Sequence, residues 1–376
     1  MPKLPTPVTK PVPIDTSLKS VAGKAQPLWR GPEVDGVTCS LLSKFLANRA
    51  HFKCLVIDGW KIKEGFSHRT SYGSMWHICE DAHAAGRDWR TPLKLYASTL
   101  IAKYPIQQVE IEHWYVVCSI QFPIYIEYCS RHLEMVRRTP IEGFQEKEFA
   151  VPYPLPSGRI VMLRGKIDAA DLVIGDAEYP DGEWVCEHKS KGDIDTVAIH
   201  RQLRYDAQTL IYSIALKELR KGSKYDVIGT RYNVIRRPLS GGKGTIRQHQ
   251  PSKKNPQGES KDDYYNRVQQ VILEDQDNFF MRWKVRLTDQ DRRRFQVQTL
   301  DPILEQLCWW YDAATGKPPS STFNWEHLVR SLNYRHPAGV WNPTDNGRST
   351  AYDDYLDTGS TLGLEKVTNL YPELSR

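Results

Sequence analysis

Hydrophobic residues recur with a helical period from about residue 38 to residue 135. In "TCSLLSKFLANRAHFK", residues 38 to 53, four apolar side chains fall on one side of a helix: Leu42, Phe45, Leu46 and Phe52. Similar spacing predicts a helix from about Ser74 to Gly86, another over 92 to 103, and one or two more over 109 to 135, interrupted near Pro123. This part of the chain is therefore predicted to be helical.

The pattern changes after residue 141, where β-branched residues become frequent. "EKEFAVPY", "GRIVMLRGKIDAADLVI" and "EWVCEHKSK" each predict a strand, and "YDVIGTRYNVIRR" predicts another. Between the last two, "TVAIHRQLRYDAQTLIYSIALKEL", residues 196 to 219, predicts one long helix. Strands followed by a helix and a further strand favour an α/β fold with a mixed central sheet flanked by helices.

Composition divides the chain into five regions. These are a Pro-rich tail, predicted to be disordered, over 1 to 37, the helical region over 38 to 140, the α/β core over 141 to 237, a basic flexible loop over 238 to 262, and a helical extension over 263 to 376. Two long helices are predicted over about 261 to 285 and 290 to 313. The last sixty residues, rich in Gly, Pro, Asn and Asp, are predicted to be irregular.

The 376 residues carry a formal net charge of +6, a mildly basic balance that fits a polyanionic partner. Seven cysteines are scattered along the chain, and no Cys-x-x-Cys pair occurs. An odd number of unpaired thiols is typical of a reducing compartment, so we expect a cytoplasmic protein. No run of about 18 apolar residues is present, which argues against a membrane span.

Three charged residues lie on predicted strands that otherwise look buried. Asp168 follows Gly165 in the second strand, and Glu187 and Lys189 flank one residue in the third. Two carboxylates brought close together on adjacent strands need a cation between them if both are to stay ionised. A hard divalent ion with oxygen ligands, Mg²⁺ or Mn²⁺, meets that need. The alternative is an Asp in a turn and a surface Glu–Lys strand.

Side-chain alternation along a strand sets the direction of the neighbouring residues. Glu187 and Lys189 are two apart and point to one face, where Lys189 can orient a water molecule or stabilise charge on a phosphate. Cys186 and His188 then face the other way, which leaves His188 its backbone carbonyl as a metal ligand.

Two helices supply further candidates. Gln208 and Tyr212 are four apart on the long helix and share one face. His77 lies in an otherwise apolar helical stretch, with Glu80 on the same face. Taken alone, the first pair is an ordinary helix surface, and a lone His77 is an ordinary core or surface histidine.

The order of these motifs resembles the RecB-like branch of the PD-(D/E)XK nuclease superfamily, which includes phage exonucleases and CRISPR-associated nucleases. The matching motifs are His77, Gly165-x-x-Asp168, Glu187-x-Lys189 and Gln208-x-x-x-Tyr212. "SLLSKFLANRAHF" is similar to that group's early S-x-L-x-x-F helix, and "YGSMWHICED" is similar to its G-x-x-x-H-x-x-x-E motif in a looser form. The resemblance covers about residues 38 to 237.

The resemblance implies a restriction-endonuclease-like core that hydrolyses DNA phosphodiester bonds with Mg²⁺ or Mn²⁺. It implies metal ligation by His77, Asp168, Glu187 and the His188 carbonyl, assistance to the attacking water by Lys189, and positioning of active-site groups or DNA by Gln208 and Tyr212. It also implies a phage-type exonuclease of recombination, replication or repair, acting on single- or double-stranded DNA in bacterial cytoplasm. A phage recombination protein is the partner it suggests.

Many relatives in this branch hold an iron–sulfur cluster on four cysteines, one near the early helix and three near the carboxy terminus. Here Asn48 and Arg49 stand where Cys-Pro is expected, and no cysteine follows Cys308. A four-thiolate cluster needs ligands that the chain does not supply in those places. We therefore expect no iron–sulfur cluster.

Other patterns leave alternatives open. The basic loop over 236 to 254 either grips phosphates or is a solvated insertion, and Arg292-Arg293-Arg294 is interpreted as a solvated helix face rather than a DNA clamp. "SGGKGT" lacks the order of a phosphate-binding loop, so an ATP-driven motor is not supported. Three rival hypotheses stay open: a structure- or sequence-specific endonuclease of the same fold, a DNA-binding homologue that does not cut, and a structural phage protein.

Overall fold

The computed structural model describes residues 28–63, 65–131, 138–192, 194, 196–238, 248–251, 256–316, 351–372 and 374. The predicted tail up to residue 27, most of the basic loop, and the segment 317 to 350 lie outside the described residues. Predictions that fall on those residues stay predictions.

The strands are β1 (Trp60–Ile62), β2 (Arg138–Pro154), β3 (Ile160–Val173), β4 (Gly182–Lys191), β5 (Val227–Arg236), β6 (Phe280–Arg286) and β7 (Leu364–Lys366). Five of them form the central sheet, in the order β2-β3-β4-β5-β6. β4 and β5 pair in parallel, and the other neighbours pair antiparallel. The predicted α/β fold with a mixed central sheet is thus confirmed.

The helices of the described residues are α1 (Cys39–Ala47), α2 (Arg49–Val56), α3 (His68–Ala84), α4 (Arg90–Lys103), α5 (Gln108–Arg131), α6 (Thr196–Arg204), α7 (Ala207–Leu219), α8 (Lys261–Glu274), α9 (Gln276–Phe279), α10 (Asp289–Phe295), α11 (Asp301–Ala314) and α12 (Ala351–Thr358). As predicted, helices precede the sheet. α6 and α7 connect β4 to its parallel neighbour β5, a pairing that requires a crossover. No helix in this described part of the chain is both long and apolar enough to cross a membrane.

Of three hydrophobic clusters among the described residues, the two larger ones pack on most of the central sheet. One joins β2 and β3 to α1, α2, α7 and α11, and the other joins α3, α4, α5 and α8 to the β5 and β6 strands. The candidate site lies where the two meet, because His77 comes from α3 and Gln208 from α7.

The helix predicted over 38 to 53 is in fact two helices. Asn48 has an extended backbone, and its side chain accepts hydrogen bonds from the N–H groups of Ala50 and His51, so that a new helix begins there. Of the predicted apolar face, Leu46 is 43% exposed, whereas the other three residues are buried.

The helix predicted over 196 to 219 is split in the same way. Asp206 has an extended backbone, and its carboxylate accepts a hydrogen bond from the N–H of Gln208. The break places a capped helix start beside β4, with Gln208 in its first turn.

Two other helix predictions were wrong at their limits. α3 begins at His68 rather than near Ser74, and α5 runs through Pro123 without interruption. A proline inside a helix loses one backbone hydrogen bond. Phe122 and Ile124 on either side are buried in the core, and their packing outweighs that loss.

The prediction of one helix over 261 to 285 was wrong, because this stretch contains α8, α9 and β6. "FMRWKVR" alternates apolar and basic residues, which is the period of a strand, and β6 extends the sheet beside β5. The region 263 to 376 therefore contributes to the core and is not only a helical extension. The helix predicted over 290 to 313 is α10 and α11, joined by the π-helical turn Gln296–Leu300.

Residues at both ends of the described chain correct the predicted boundaries. Trp29, within the predicted tail, is 0% exposed, and Val37 bridges to Leu163 of β3, so residues 28 to 37 belong to the fold. The carboxy-terminal segment predicted to be irregular contains α12 and β7, and β7 pairs with β1.

Arg292 is not part of a solvated helix face. It is 6% exposed, and its Nη1 donates to Ser213 Oγ (3.1 Å) and to the Leu287 carbonyl (2.8 Å). Its Nη2 donates to Asp289 (2.7 Å). Arg292 therefore holds α10 against α7.

Candidate metal centre and active site

β4 and α7 bring three predicted site residues into hydrogen-bond contact. Lys189 Nζ donates to Glu187 Oε1 (2.6 Å) and to Gln208 Oε1 (2.9 Å), and Gln208 Nε2 donates to Glu187 Oε1 (2.8 Å). Glu187 and Lys189 are two apart on β4, so their side chains share one face, as predicted. Gln208 closes the triangle from α7.

Tyr212 supports this triangle from one turn further along α7. Its hydroxyl lies 3.3 Å from Gln208 Nε2, and its ring packs edge-on against Phe149 of β2. A Cβ atom on Gly165 would lie 2.8 Å from the Tyr212 ring and 2.6 Å from the Phe149 ring. Gly165 therefore allows β3 to approach Tyr212, which explains why a glycine leads the Asp168 motif.

The Asp168 side chain of β3 hydrogen-bonds to β4 just beyond the point where the backbone pairing of the two strands ends. The last paired residues are Ala169 and Cys186. Beyond them, Asp168 Oδ2 accepts a hydrogen bond from the backbone N–H of His188 (2.9 Å). A carboxylate therefore replaces a strand carbonyl at this point, and it is held within the site by the backbone of β4.

His77, Glu146 and Asp168 form the group of described residues best placed to hold a metal ion. One ligand atom from each lies within 4.8 Å of the others. His77 Nδ1 is 3.9 Å from Glu146 Oε1 and 3.9 Å from Asp168 Oδ2. The fold thus brings His77 and Asp168 together, although they are distant in sequence.

Glu146 is a candidate ligand that sequence reasoning missed. It lies on β2 just after an irregularity in pairing between Pro140 and Gln145, and its φ is 47°. A left-handed backbone is strained in a residue other than glycine. Its other oxygen contacts Lys166 Nζ. The sole sequence signal is an acid in "EKEFAVPY", which is common in surface strands.

His188 points to the face opposite Glu187, as predicted. Its Nδ1 lies 3.3 Å from Glu80 Oε1 and 3.3 Å from Asn233 Nδ2. The His188 ring meets the His77 ring edge-on, with 6.0 Å between centroids. Glu80 therefore supports the histidine pair from α3. The role of the His188 carbonyl as a metal ligand stays a prediction.

Burial has the largest effect on the two carboxyl groups. It raises the pKa of Glu187 to about 7, and the nearby Asp168 charge adds to the rise, which Lys189 only partly offsets. Burial also raises the pKa of Asp168 above its ordinary value, against the lowering effect of His188 and Lys189. The site without a metal therefore disfavours two negative charges.

Burial and neighbouring charges leave His77 neutral and Lys189 charged at neutral pH. Burial, and then His188, lower the pKa of His77 to about 4, so its imidazole is neutral and able to bind a metal. Burial lowers the pKa of Lys189, but Glu187 and Asp206 outweigh it and leave the pKa above its ordinary value. Lys189 is therefore charged at neutral pH.

The donor set fits a divalent metal ion. Glu187 is 2% exposed, and its Oε2 has no hydrogen-bond partner among the described residues. A buried carboxylate oxygen without a partner is unfavourable unless a cation completes it. Two carboxylates and one imidazole, from Glu146, Asp168 and His77, form a group able to hold a cation, and Glu187 adds a third carboxylate, buried on the strand next to Asp168. An oxygen-rich set of this kind suits Mg²⁺ or Mn²⁺.

The cysteines do not form disulfide bonds. All seven lie within the described residues, and each is a free thiol. Asn48, which stands where a cluster cysteine is expected, caps α2 instead. The expectation of no iron–sulfur cluster stays a prediction.

The chain matches no protein-family model and no curated protein. The case for a function rests on the residues of the site and on the resemblance of their motifs.

Proposed function

We propose that this protein is a metal-dependent DNA nuclease that hydrolyses phosphodiester bonds. The proposal depends on one arrangement. Asp168 and Glu187 are carboxylates on adjacent strands, and Lys189 lies 2.6 Å from one oxygen of Glu187, while the other oxygen has no hydrogen-bond partner in the described part of the chain. A structural ion pair needs only one carboxylate for one lysine. A second acid and an unpaired oxygen make the site less stable, which is typical of functional sites.

The chain's own residues have separable roles in this proposal. Four side chains would hold the metal ion: His77, Glu146, Asp168 and Glu187. A bound Mg²⁺ or Mn²⁺ would supply positive charge to the phosphate and lower the pKa of the attacking water. Lys189 stays protonated, so it orients the water and offsets charge on the phosphate. Gln208 fixes Lys189, and Tyr212 fixes Gln208.

Basic and aromatic side chains around a cavity at β5 and β6, whose basic members share the sheet face of His188, support a nucleic-acid substrate. A cavity over β5 and β6 is lined by Arg231, Arg282, Lys284, Tyr179 and Trp283, among others. Asn233 also lines it and contacts His188, which connects the cavity to the metal ligands. Arginine and lysine bind backbone phosphates, and aromatic rings stack on bases.

The phage-type exonuclease setting is proposed from the motif resemblance, as are the recombination partner and the bacterial cytoplasm. The free thiols agree with a reducing compartment. A structure- or sequence-specific endonuclease would use the same side chains. A DNA-binding homologue that does not cut would gain nothing from the unpaired oxygen of Glu187.

Metal-dependent cleavage of DNA tests the proposal. Purified protein is incubated with end-labelled linear DNA, single- and double-stranded, and with closed circles, in Mg²⁺, Mn²⁺ or EDTA. An exonuclease degrades only the linear DNA, and an endonuclease also cuts the circles. DNA binding without cleavage under every metal condition would overturn the nuclease proposal.

Glu183 offers a matched control for Glu187. Both are buried glutamates on β4, but Glu183 is paired with Arg220 at 2.6 Å and lies outside the site. Glu187→Gln should abolish cleavage and keep the fold, whereas Glu183→Gln should keep the specific activity of whatever protein remains folded.

A further inference from the structure

Arg237, directly after β5, is a buried arginine without a carboxylate partner in the described part of the chain. It is 6% exposed, and its Nε and Nη1 make no hydrogen bond to any residue that the structure describes. Arg292 is equally buried, but it donates to a carboxylate, a hydroxyl and a carbonyl. A buried cation without a partner destabilises a fold, so the charge of Arg237 calls for a ligand.

A rigid set of hydrogen bonds holds the backbone at Arg237. The N–H of Arg237 donates to the Lys191 carbonyl (2.8 Å), which ties the end of β4 to the end of β5. Gln121 Nε2 donates to the Arg236 carbonyl (2.8 Å), and Gln121 Oε1 accepts a hydrogen bond from the Tyr72 hydroxyl (2.5 Å). Gln121 and Tyr72 are fully buried. The backbone from which the Arg237 side chain extends is thus fixed by α3, α5 and β5 together.

The first turn of α3 adds positive charge beside Arg237. Burial, and then Arg69, lower the pKa of Arg237, and Arg237 in turn helps burial to lower the pKa of His68. Glu110 pairs with His68 (3.3 Å) rather than with Arg237. The side chain of the N-cap residue Ser67 accepts a hydrogen bond from the Thr70 hydroxyl (3.5 Å) but from no backbone N–H of α3 among the described residues, so the first N–H groups of α3 keep their capacity to bind an anion.

We propose that Arg237 and the first turn of α3 bind a phosphate group of the substrate strand, an inference that rests on the nuclease function. Glu187 and Lys191 are four residues apart on β4, which places Arg237 about 13 Å from Glu187 along the strand direction. A nucleic-acid strand carries one phosphate per ~3.4 Å of helix axis. The bound phosphate therefore lies a few nucleotides from the hydrolysed bond, and it sets where the strand is cut.

Inorganic phosphate tests the anion site without metal or cleavage. In EDTA, millimolar phosphate should raise the Tm of the wild-type protein by a few degrees, because a ligand that binds only the folded state stabilises it. Arg237→Gln should lose this response, and Arg237→Lys should keep part of it. Arg292→Lys, the matched control at an equally buried arginine, should keep the full response even if its Tm is lower. Equal stabilisation of wild type and Arg237→Gln, or of neither, overturns the anion site.

Oligonucleotides with and without a 5′-phosphate identify the source of the phosphate. In EDTA, Arg237→Gln should bind DNA about tenfold more weakly than the wild type. A loss confined to the 5′-phosphorylated strand assigns the site to a terminal phosphate, and an equal loss on both strands assigns it to an internal one. Unchanged affinity for both strands overturns the inference.

The two proposals fail in different ways. If phosphate stabilises the wild type but not Arg237→Gln, and no DNA is cut in any metal, the anion site stands and the nuclease function falls. If DNA is cut and Arg237→Gln responds to phosphate and DNA as the wild type does, only the anion site falls.

Discussion

Lys189 Nζ lies 2.6 Å from one oxygen of Glu187, whereas the second oxygen of Glu187 is buried without a hydrogen-bond partner among the described residues. The Lys189 ammonium therefore compensates only part of the negative charge of the buried Glu187 carboxylate. Asp168, on the next strand, adds a second negative charge nearby. The raised pKa of Glu187, about 7, reflects burial first and Asp168 second. Packing around Gln208 and Tyr212 holds this unfavourable arrangement in place.

Asp168→Asn should stabilise the metal-free protein at pH 8. The amide removes the repulsion with Glu187 and keeps an oxygen that accepts the His188 N–H. We expect an increase of about 1–2 kcal/mol in the free energy of unfolding in EDTA, seen as a Tm several degrees higher. We also expect the stabilisation by Mg²⁺ or Mn²⁺ to disappear. Thermal unfolding in EDTA and in each metal measures both effects.

Glu183→Gln is the control for this prediction and should act in the opposite direction. Glu183 is fully paired with Arg220 and Ser223, so its neutralisation breaks a buried ion pair and lowers the Tm in EDTA. A fall in Tm for Asp168→Asn similar to that for Glu183→Gln would show that Asp168 is a structural residue.

The stability difference between Glu187→Gln and the wild type should depend on pH. Between pH 4.5 and about 7, folded Glu187 binds more protons than the unfolded chain does, so the wild type loses stability as pH rises through this window. The loss should approach about 3 kcal/mol at pH 7 and stay constant above it. The amide of Glu187→Gln does not titrate. The free energy of unfolding of the variant should therefore rise by that amount relative to the wild type between pH 4.5 and 7.

Urea unfolding in EDTA at several pH values from 4 to 8 measures this difference. His77, whose pKa is lowered to about 4, contributes the opposite slope below pH 6.5, because there the unfolded chain binds more protons than the folded protein. Glu187 affects the pKa of His77 less than burial, His188 and Glu146 do, so this contribution is similar in both proteins and largely cancels in the comparison. A difference that is constant across the whole range would contradict a raised pKa at Glu187.

The strands that carry the site are predictable because the run around Asp168 and the run around Glu187 are apolar, β-branched and separated by turn residues. Alternation alone then places Glu187 and Lys189 on one face and His188 on the other. The breaks at Asn48 and Asp206 are not predictable from spacing, because a polar capping residue fits the polar side of a helical pattern.

Other features depend on contacts between distant parts of the chain. Glu146 is a candidate ligand only because α3 brings His77 to it. Arg237 resembles any other arginine in the sequence, and it becomes a candidate only because the fold buries it without a hydrogen-bond partner for its Nε and Nη1 among the described residues. The sequence did not predict β6, because the strand follows a helix directly and is only seven residues long. The change from a helical to a strand period therefore covers too few residues to stand out.

Lys189→Met should lower the rate of DNA cleavage by about 100-fold or more, because it removes the charge that orients the water and offsets the phosphate. Lys189 also lowers the pKa of Glu187, so its removal should shift metal stabilisation of the protein to higher pH without abolishing it. Initial cleavage rates and Tm in Mn²⁺ from pH 6 to 9 measure the two effects. Lys217→Met is the control, since Lys217 lies on α7 and pairs with Asp289 away from the site.

If Mn²⁺ no longer stabilises Lys189→Met at any pH, the role of Lys189 is to position the metal ligands and not to orient the attacking water. If cleavage persists at the wild-type rate, the water must be oriented by another group, and Gln208, which contacts the same carboxylate, is the next candidate to substitute.

Two substitutions at Glu146 should separate ligation from backbone strain. Glu146→Gln and Glu146→Gly both remove a carboxylate, so both should weaken Mn²⁺ binding by at least about tenfold, measured by Mn²⁺-dependent Tm. Only glycine relieves the φ of 47°, so Glu146→Gly should exceed Glu146→Gln in free energy of unfolding in EDTA by about 1 kcal/mol. Lys166 loses its ion pair with Glu146 in both variants, and Gln, unlike Gly, still offers an amide oxygen to Lys166, so a higher stability of Glu146→Gly reflects relief of the backbone and not a better contact with Lys166. Wild-type Mn²⁺ affinity in Glu146→Gln would mean that Glu146 pairs with Lys166 and leaves the metal to His77, Asp168 and Glu187.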